Sequence, residues 1–303
     1  MTSTTSTTQS PDTLRSRRWS RLLRDNSVKG WLFMVPLILV NGFVIVVPAL
    51  SAVYYSLTDW TGIGDASFIG VENYVTMLSD PNFASALWHN IHWTIFFLIV
   101  PMAMGLYGAY MLTRVRRFAL FFRVAYFIPY IVASVVSASI WRSLLSPDAS
   151  FGKLLGINFL GNQDWALISV EFVNNWAWWG FLVVVFLASM QGINPSLYEA
   201  SSIDGAGPIR QFFSITLPSI RPTFMFLGLM TIIWSFLSFD YVYILTQGGP
   251  AGATEVLSTL LYREAFSNLN AGYASAIGVI MAVISGAVVG VYLWIRKARD
   301  WEI

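Results

Sequence analysis

Six apolar runs, each of the roughly 20 residues that a helix needs to cross the hydrocarbon core of a bilayer, constrain this 303-residue chain more than any other feature. They extend from Trp31 to about Leu57, then near 91–112, 119–141, 166–190, 223–245 and 273–295. Backbone groups in lipid must be satisfied within the segment that carries them, which runs of this length achieve as α-helices and not as barrel strands. The expected fold class is therefore an all-α membrane protein with six transmembrane helices. Pro36, Pro48, Pro101 and Pro129 fall inside or near the ends of these runs, where membrane helices tolerate them because neighbours re-satisfy the freed backbone groups. The first run is too long for a signal-peptide core and reads as an uncleaved spanning helix.

Charge placement predicts the orientation, because basic residues in short loops stay on the cytoplasmic side. With the N-terminus inside, the cytoplasm receives Arg15, Arg17, Arg18, Arg21, Arg24, Lys29, Arg114, Arg116, Arg117, Arg123, Arg210, Arg221, Arg296, Lys297 and Arg299. The outer side receives only Arg142, Lys153 and Arg263, with acids including Asp59, Asp65, Glu72 and Asp164. Both termini are expected to be cytoplasmic. Residues 1–29 read as a largely disordered basic tail, since Ser, Thr, Gln and Pro cannot bury enough apolar surface to offset chain entropy. Residues 30–303 then form the six-helix domain.

One cytoplasmic loop, 192–222, is too polar and too long to be a simple connection. Asn194 and Pro195 form a helix start, with Asn as cap and Pro at the first helical position, so Ser196–Ile203 should be a short helix. Gly205 and Gly207 break it, and Pro208 opens a second helix that Leu217 and Pro218 should stop.

Within this loop Glu199, Ala200 and Ser201, followed at fixed spacing by Gly205 and by Ile215, Thr216, Leu217 and Pro218, match the EAA motif of permease subunits in binding-protein-dependent ATP-binding-cassette importers. Only the third position departs from that motif, Ser for Ala. The resemblance implies a type I importer permease fold in which Glu199, Ala200, Ser201, Asp204, Gly205, Ala206, Gly207, Ile215, Leu217 and Pro218 couple the chain to an ATPase subunit. An amphipathic hairpin resting on lipid headgroups is the other reading of the same residues. A second match narrows the branch: Phe68 to Tyr74 (FIGVENY), then Phe239-Asp240, Leu245 to Pro250 (LTQGGP) and Thr254 resemble maltose-type and glycerol-3-phosphate-type carbohydrate permeases. Unlike the maltose permease, this chain has no large inserted outer domain. The resemblance implies a second, homologous permease subunit, an ATPase dimer that uses ATP and Mg, and an extracytoplasmic solute-binding protein as partners. It also implies a place in the inner (cell) membrane of a bacterium or archaeon.

Two helices gather polar and aromatic residues on one face at helical spacing. Helix four carries Asn174, Ala177, Trp178 and Phe181, and helix five carries Thr231, Trp234, Ser235 and Ser238. Sugars need hydrogen-bonding side chains plus flat aromatic surfaces for their C–H faces, so Asn174, Trp178, Phe181, Thr231, Trp234, Ser235 and Ser238 are the candidate substrate contacts. The alternative is ordinary helix packing, with Trp176, Trp178 and Trp179 in an interfacial belt. Asp240, an ionisable group inside helix five, is expected to pair or gate. Glu171, His89 and His92 are expected at the headgroup boundary.

Composition removes other function classes. Charged residues are 11% of the chain, against about 25% in soluble domains, and the net charge of +2 offers no basic surface for nucleic acid. Cysteine is absent and histidines number 2, so thiolate chemistry and a resident metal centre are not expected, and no cofactor is expected on this chain. No Walker Gly-rich loop with Lys-Ser/Thr occurs, so hydrolysis must reside in another polypeptide. Import of glycerol-3-phosphate or another polar solute remains open, as do a secondary transporter working alone and a lipid-linked glycosyltransferase, for which the acids are too scattered.

Overall fold

The computed structural model describes residues 26–115, 117–148 and 150–298. The disordered tail expected for residues 1–29, and the cations from Arg15 to Arg24 with Arg116 and Arg299, lie wholly or largely outside them. Contacts divide the chain into two units, one ending at Tyr54 and the other beginning at Tyr55.

The first unit is dominated by one long apolar helix, built from α1 (Asn26–Asn41), a π turn (Gly42–Val46) and α2 (Val47–Tyr55). Its polar side chains turn back on their own helix: Asn41 Nδ2 donates to Leu37 O at 2.9 Å and Ser51 Oγ to Val47 O at 2.9 Å. Intrahelical bonding of this kind lets polar residues sit in an apolar segment.

The second unit opens with a loop stapled by the FIGVENY residues. Asn73 is buried and donates to the carbonyls of Ser56 and Thr58, both at 2.9 Å, while the Tyr74 hydroxyl meets Ser56 Oγ at 2.8 Å. Two helices follow, α3 (Glu72–Ser79) and α4 (Pro81–Arg114), the second capped by Asp80, whose Oδ1 accepts from Asn82 N at 2.9 Å. After them come α5 (Ala119–Ile131), α6 (Ser134–Leu144), α7 (Ser150–Leu155) and α8 (Gln163–Gln191). The α8 start is capped by Asn162, accepting from Asp164 N at 2.8 Å.

The remaining elements are α9 (Pro195–Ile203), α10 (Pro208–Gln211), a π turn (Phe212–Thr216), α11 (Leu217–Ser219), α12 (Arg221–Phe236), α13 (Asp240–Leu245), α14 (Leu257–Tyr262), a π turn (Arg263–Ser267) and α15 (Ala271–Ala298).

Two expected spans are not continuous helices. The stretch 119–141 divides at Val132 and Ala133, both outside helix, and α5 and α6 meet at 93°. The stretch 223–245 ends as helix at Phe236 and resumes at Asp240. Hydropathy is blind to both breaks because each half is apolar; the polar groups Ser134, Ser238 and Asp240 mark them. Among the described residues four helices are long and apolar enough to span a bilayer, and up to six segments do so if each bent pair, α5 with α6 and α10–α11 with α12, is one span.

Small residues set how closely the helices pack, as is usual where no water drives association. A Cβ added to Gly105 of α4 would lie 2.5 Å from Leu182 Cβ of α8, and one on Gly108 would lie 2.8 Å from Val183 Cγ2. On the other side of α8, Gly180 sits against the Tyr126 carbonyl of α5. Around these contacts Trp93, Phe97, Met102, Val170, Leu182 and Phe186 form the buried core.

Candidate functional site

A cavity of about 220 Å³ lies where α4, α8, α12 and α13 converge. Its lining holds Trp93 and Phe97 from α4, Asn174 and Trp178 from α8, Thr231, Trp234 and Ser235 from α12, and residues 237–241 at the break between α12 and α13. Six of the seven sequence-predicted contacts, Asn174, Trp178, Thr231, Trp234, Ser235 and Ser238, are thus brought together. Phe181 is not part of the lining; it stacks on Tyr130 of α5 at 4.9 Å between centroids and braces Trp178 at 5.0 Å. Trp93, Phe97, Leu237, Phe239 and Tyr241 were not predicted. The aromatic pair Trp93 and Phe97, four residues apart on one helix, carried a signal of the kind read on α8.

The break in the fifth span creates this site. Once the chain leaves helix at Leu237, residues 237–239 turn their backbone and side chains toward the space between α8 and α4, an arrangement tolerated at membrane depth only where protein or a polar cavity surrounds it. The Trp178 and Trp234 rings meet edge to face at 4.2 Å. The Trp178 indole Nε1 and the Thr231 hydroxyl are buried without a hydrogen-bond partner, in residues exposed by 6% and 1%. A buried, unpaired polar group costs about 1–3 kcal/mol, so a polar solute offering hydroxyls in this space would recover that cost. Ser235 instead directs its hydroxyl to Thr231 O at 2.7 Å.

Asp240 is the first residue of α13, not an interior position of a continuous helix, and its carboxylate accepts from the Ser134 hydroxyl at the α5–α6 bend. The two broken spans are therefore joined where each is interrupted. Among the described lining residues Asp240 is the sole charged group.

Glu171 does not reach the headgroups: it is fully buried in α8 and its Oε1 meets His92 Nδ1 at 2.8 Å. Nor is His89 free at a boundary, since its Nδ1 bonds the Glu255 carbonyl at 2.8 Å. These partners lie 79 and 166 residues away along the chain, which no local pattern can reveal. Glu255 is itself buried and ion-paired with Arg263; burial pushes its carboxyl above the ordinary range, and the guanidinium opposes that shift.

At the opposite end of α8 the 192–222 segment folds as a helical hairpin. Asn194 Oδ1 accepts from Ser196 N at 3.0 Å, and Pro195 occupies the first helical position. Gly205 turns the chain at φ +78°, a region that residues with a Cβ adopt at a cost. Gln211 locks the two arms, its amide donating to Ser201 Oγ at 3.0 Å and Ser202 Oγ at 2.9 Å. The Tyr198 hydroxyl meets Thr216 Oγ1 at 2.9 Å. Leu217 and Pro218 do not stop the second arm: a π turn over Phe212–Thr216 carries helix on to Ser219, and the stop is Ile220. Glu199, Ala200, Asp204, Gly205 and Gly207 are exposed, whereas Ser201, Ala206, Ile215 and Leu217 are half-buried and Pro218 is exposed beyond them. The outer face also bears Ile203, 88% exposed, and Ile209, 76% exposed. A carboxylate among uncovered aliphatic side chains suits protein contact better than water.

Residues 102–300 match the family described as "Binding-protein-dependent transport system inner membrane component". The chain belongs to this family. It is 35% identical over 276 residues to the probable ABC transporter permease protein YurN of Bacillus subtilis, covering 87% of this chain and 94% of that protein. The sn-glycerol-3-phosphate transport system permease protein UgpA of Escherichia coli is 32% identical over 263 residues, covering 83% and 88%. The multiple sugar-binding transport system permease protein MsmF of Streptococcus mutans is 30% identical over 286 residues, covering 92% and 98%. In fold, the chain is similar to one in a bacterial ABC transporter that imports the acidic polysaccharide alginate, with a TM-score of 0.81 at 23% identity over 93% of this chain and 99% of that one. This permease is therefore a multi-pass membrane protein.

Proposed function

We propose that this permease moves a sugar, a di- or oligosaccharide, from an extracytoplasmic binding protein into the cytoplasm by alternating access. The observation that carries the reading is a cavity whose polar groups are hydroxyls, one amide and the single carboxylate of Asp240, set among four tryptophan and phenylalanine rings of α4, α8 and α12. That is the composition sugar recognition requires. Similarity to a multiple-sugar permease supports it. Similarity to UgpA supports a second reading, glycerol-3-phosphate, but a phosphate would meet a carboxylate at Asp240 with no cation in the lining to offset it.

In this reading the six segments cross the cell membrane with both termini inside, and the Glu199–Pro218 hairpin docks on an ATPase dimer that supplies ATP hydrolysis. A second, homologous permease completes the pathway. The orientation is tested in a chain with no native cysteine. Cysteines at Ser67 and Asn268 are expected to react with an impermeant maleimide added to intact cells, and those at Ser16 and Ser214 only after lysis. Labelling at Ser214 from outside overturns the orientation.

The cavity assignment is tested by Asn174→Ala and Trp178→Ala in the assembled complex. Loss of one neutral hydrogen bond costs about 0.5–1.5 kcal/mol, so Asn174→Ala should lower uptake several-fold, and Trp178→Ala, which removes a stacking surface, should lower it further. Hydrolysis stimulated by loaded binding protein should persist in both. Unchanged uptake and sugar preference in both variants would mean that these side chains only pack.

A further inference from the structure

The cavity and the end of the loop that follows α13 are tied together at both ends of one buried side chain, Asn90 of α4. It is completely buried, and both ends of its amide are used. Nδ2 donates to the Ser235 carbonyl at 3.0 Å, and Oδ1 accepts from the Leu257 backbone N–H at 2.7 Å. These are the groups a helix terminus leaves unpaired: Ser235 lies one residue from the end of α12, and Leu257 is the first residue of α14. One amide thus caps the cavity-forming helix α12 at its C-terminus and α14 at its N-terminus.

The loop between them is braced as a block. The Thr246 and Thr254 hydroxyls meet at 2.7 Å, and Thr254 Oγ1 donates to Gly249 O at 2.7 Å. His89, beside Asn90, holds the Glu255 carbonyl, and the buried Glu255 carboxylate is paired with Arg263. The Ser258 hydroxyl donates to the carbonyl of Ser238 on the cavity rim. A block this rigid does not absorb a displacement internally; it passes it to whatever it is fastened to.

We propose that Asn90 is a positioning residue of the transport cycle, which transmits displacement of the 246–256 loop to Ser235 and Ser238 at the cavity. This rests on the importer reading, in which that loop faces the binding protein. Asn90 touches neither partner nor solute in this scheme; it acts through the two backbone groups it holds.

The test uses the assembled complex of both permeases and the ATPase, with its binding protein. Asn90→Leu removes both hydrogen bonds at similar volume, and Asn90→Asp keeps the acceptor for Leu257 N–H while losing the donor to Ser235 O. Basal ATP hydrolysis is expected to remain within about twofold of wild type in both. Stimulation by loaded binding protein should fall about tenfold or more in Asn90→Leu, with the half-stimulating concentration of binding protein unchanged, and by less in Asn90→Asp. A merely structural role would lower assembly and basal hydrolysis together and leave the stimulation ratio intact. Spin labels on cysteines at Ala251 and Ser238 should give one narrow distance distribution in the wild type and a broad one in Asn90→Leu. Wild-type stimulation in an assembled Asn90→Leu complex overturns the inference alone, as does failure of both variants to assemble. A wild-type complex that never responds to binding protein overturns the importer reading and this inference with it.

Discussion

Gly205→Val is expected to lower uptake about 10- to 100-fold in a permease that still inserts and assembles normally. A Cβ at Gly205 would meet nothing within 4 Å, so the penalty is not a clash; it lies in the backbone, held at φ +78°. Strained backbone of this kind costs about 1–3 kcal/mol, and β-branched residues tolerate it least. The turn relieves that strain by opening, which breaks the bonds from Gly205 N to Ser202 O at 3.1 Å and from Ala206 N to Ser201 O at 2.9 Å. The α9 arm, with Glu199 on it, then leaves its place against α10. At about 1.4 kcal/mol per tenfold, the loss of coupling should reach about 10- to 100-fold in uptake. Gly205→Asn provides the control, since Asn enters the left-handed region readily, and it should keep most uptake. Glu199→Lys leaves the turn intact and reverses the one exposed charge on its arm, so it should lose uptake without changing the hairpin. The decisive measurement is binding-protein-stimulated ATP hydrolysis in purified complexes. Wild-type coupling in Gly205→Val would mean the hairpin is not the docking element.

How much of this was legible in the sequence depends on how far each determinant lies from its partner. The hairpin is local: Asn194 and Pro195 start one helix, Gly205 and Gly207 turn the chain, and Pro208 starts the next, each within a few residues of its effect. The faces of α8 and α12 were legible because helical spacing converts directly into shared direction. The broken spans were not, because α5 with α6 and α12 with α13 stay apolar on both sides of the interruption, and the two breaks are tied to each other, Ser134 to Asp240. Buried pairs were also out of reach. Glu171 reads as an acid near a span end until His92 is placed beside it, and Asn90 reads as an unremarkable amide on a long helix until Ser235 and Leu257 arrive at its two ends.

Gly180→Val should give no folded permease at all, the largest stability effect expected anywhere in the described chain. A Cβ there would stand 1.7 Å from the Tyr126 carbonyl oxygen and 2.6 Å from its carbon. Those are backbone atoms, which cannot rotate out of the way as a side-chain tip does, so α5 and α8 would have to separate by more than an ångström along a packed face. Overpacking that side chains can absorb costs about 1–3 kcal/mol; a backbone collision belongs with the rare changes beyond about 4 kcal/mol. Gly108→Ala provides the contrast. Its nearest neighbour is Val183 Cγ2 at 2.8 Å, a methyl that can turn, so that variant should fold with a lowered Tm. Even the smaller Gly180→Ala should reach the cavity, because α5 also carries Tyr130, whose ring stacks on Phe181, which in turn braces Trp178. Detergent-solubilised variants followed by size exclusion and thermal melting would show Gly180→Val absent or aggregated and Gly180→Ala, which brings the same Cβ against the carbonyl, about 10 °C or more below wild type. A Gly180→Ala protein melting with the wild type would mean that α5 and α8 do not approach this closely, and that the wall behind Trp178 is not set by their packing.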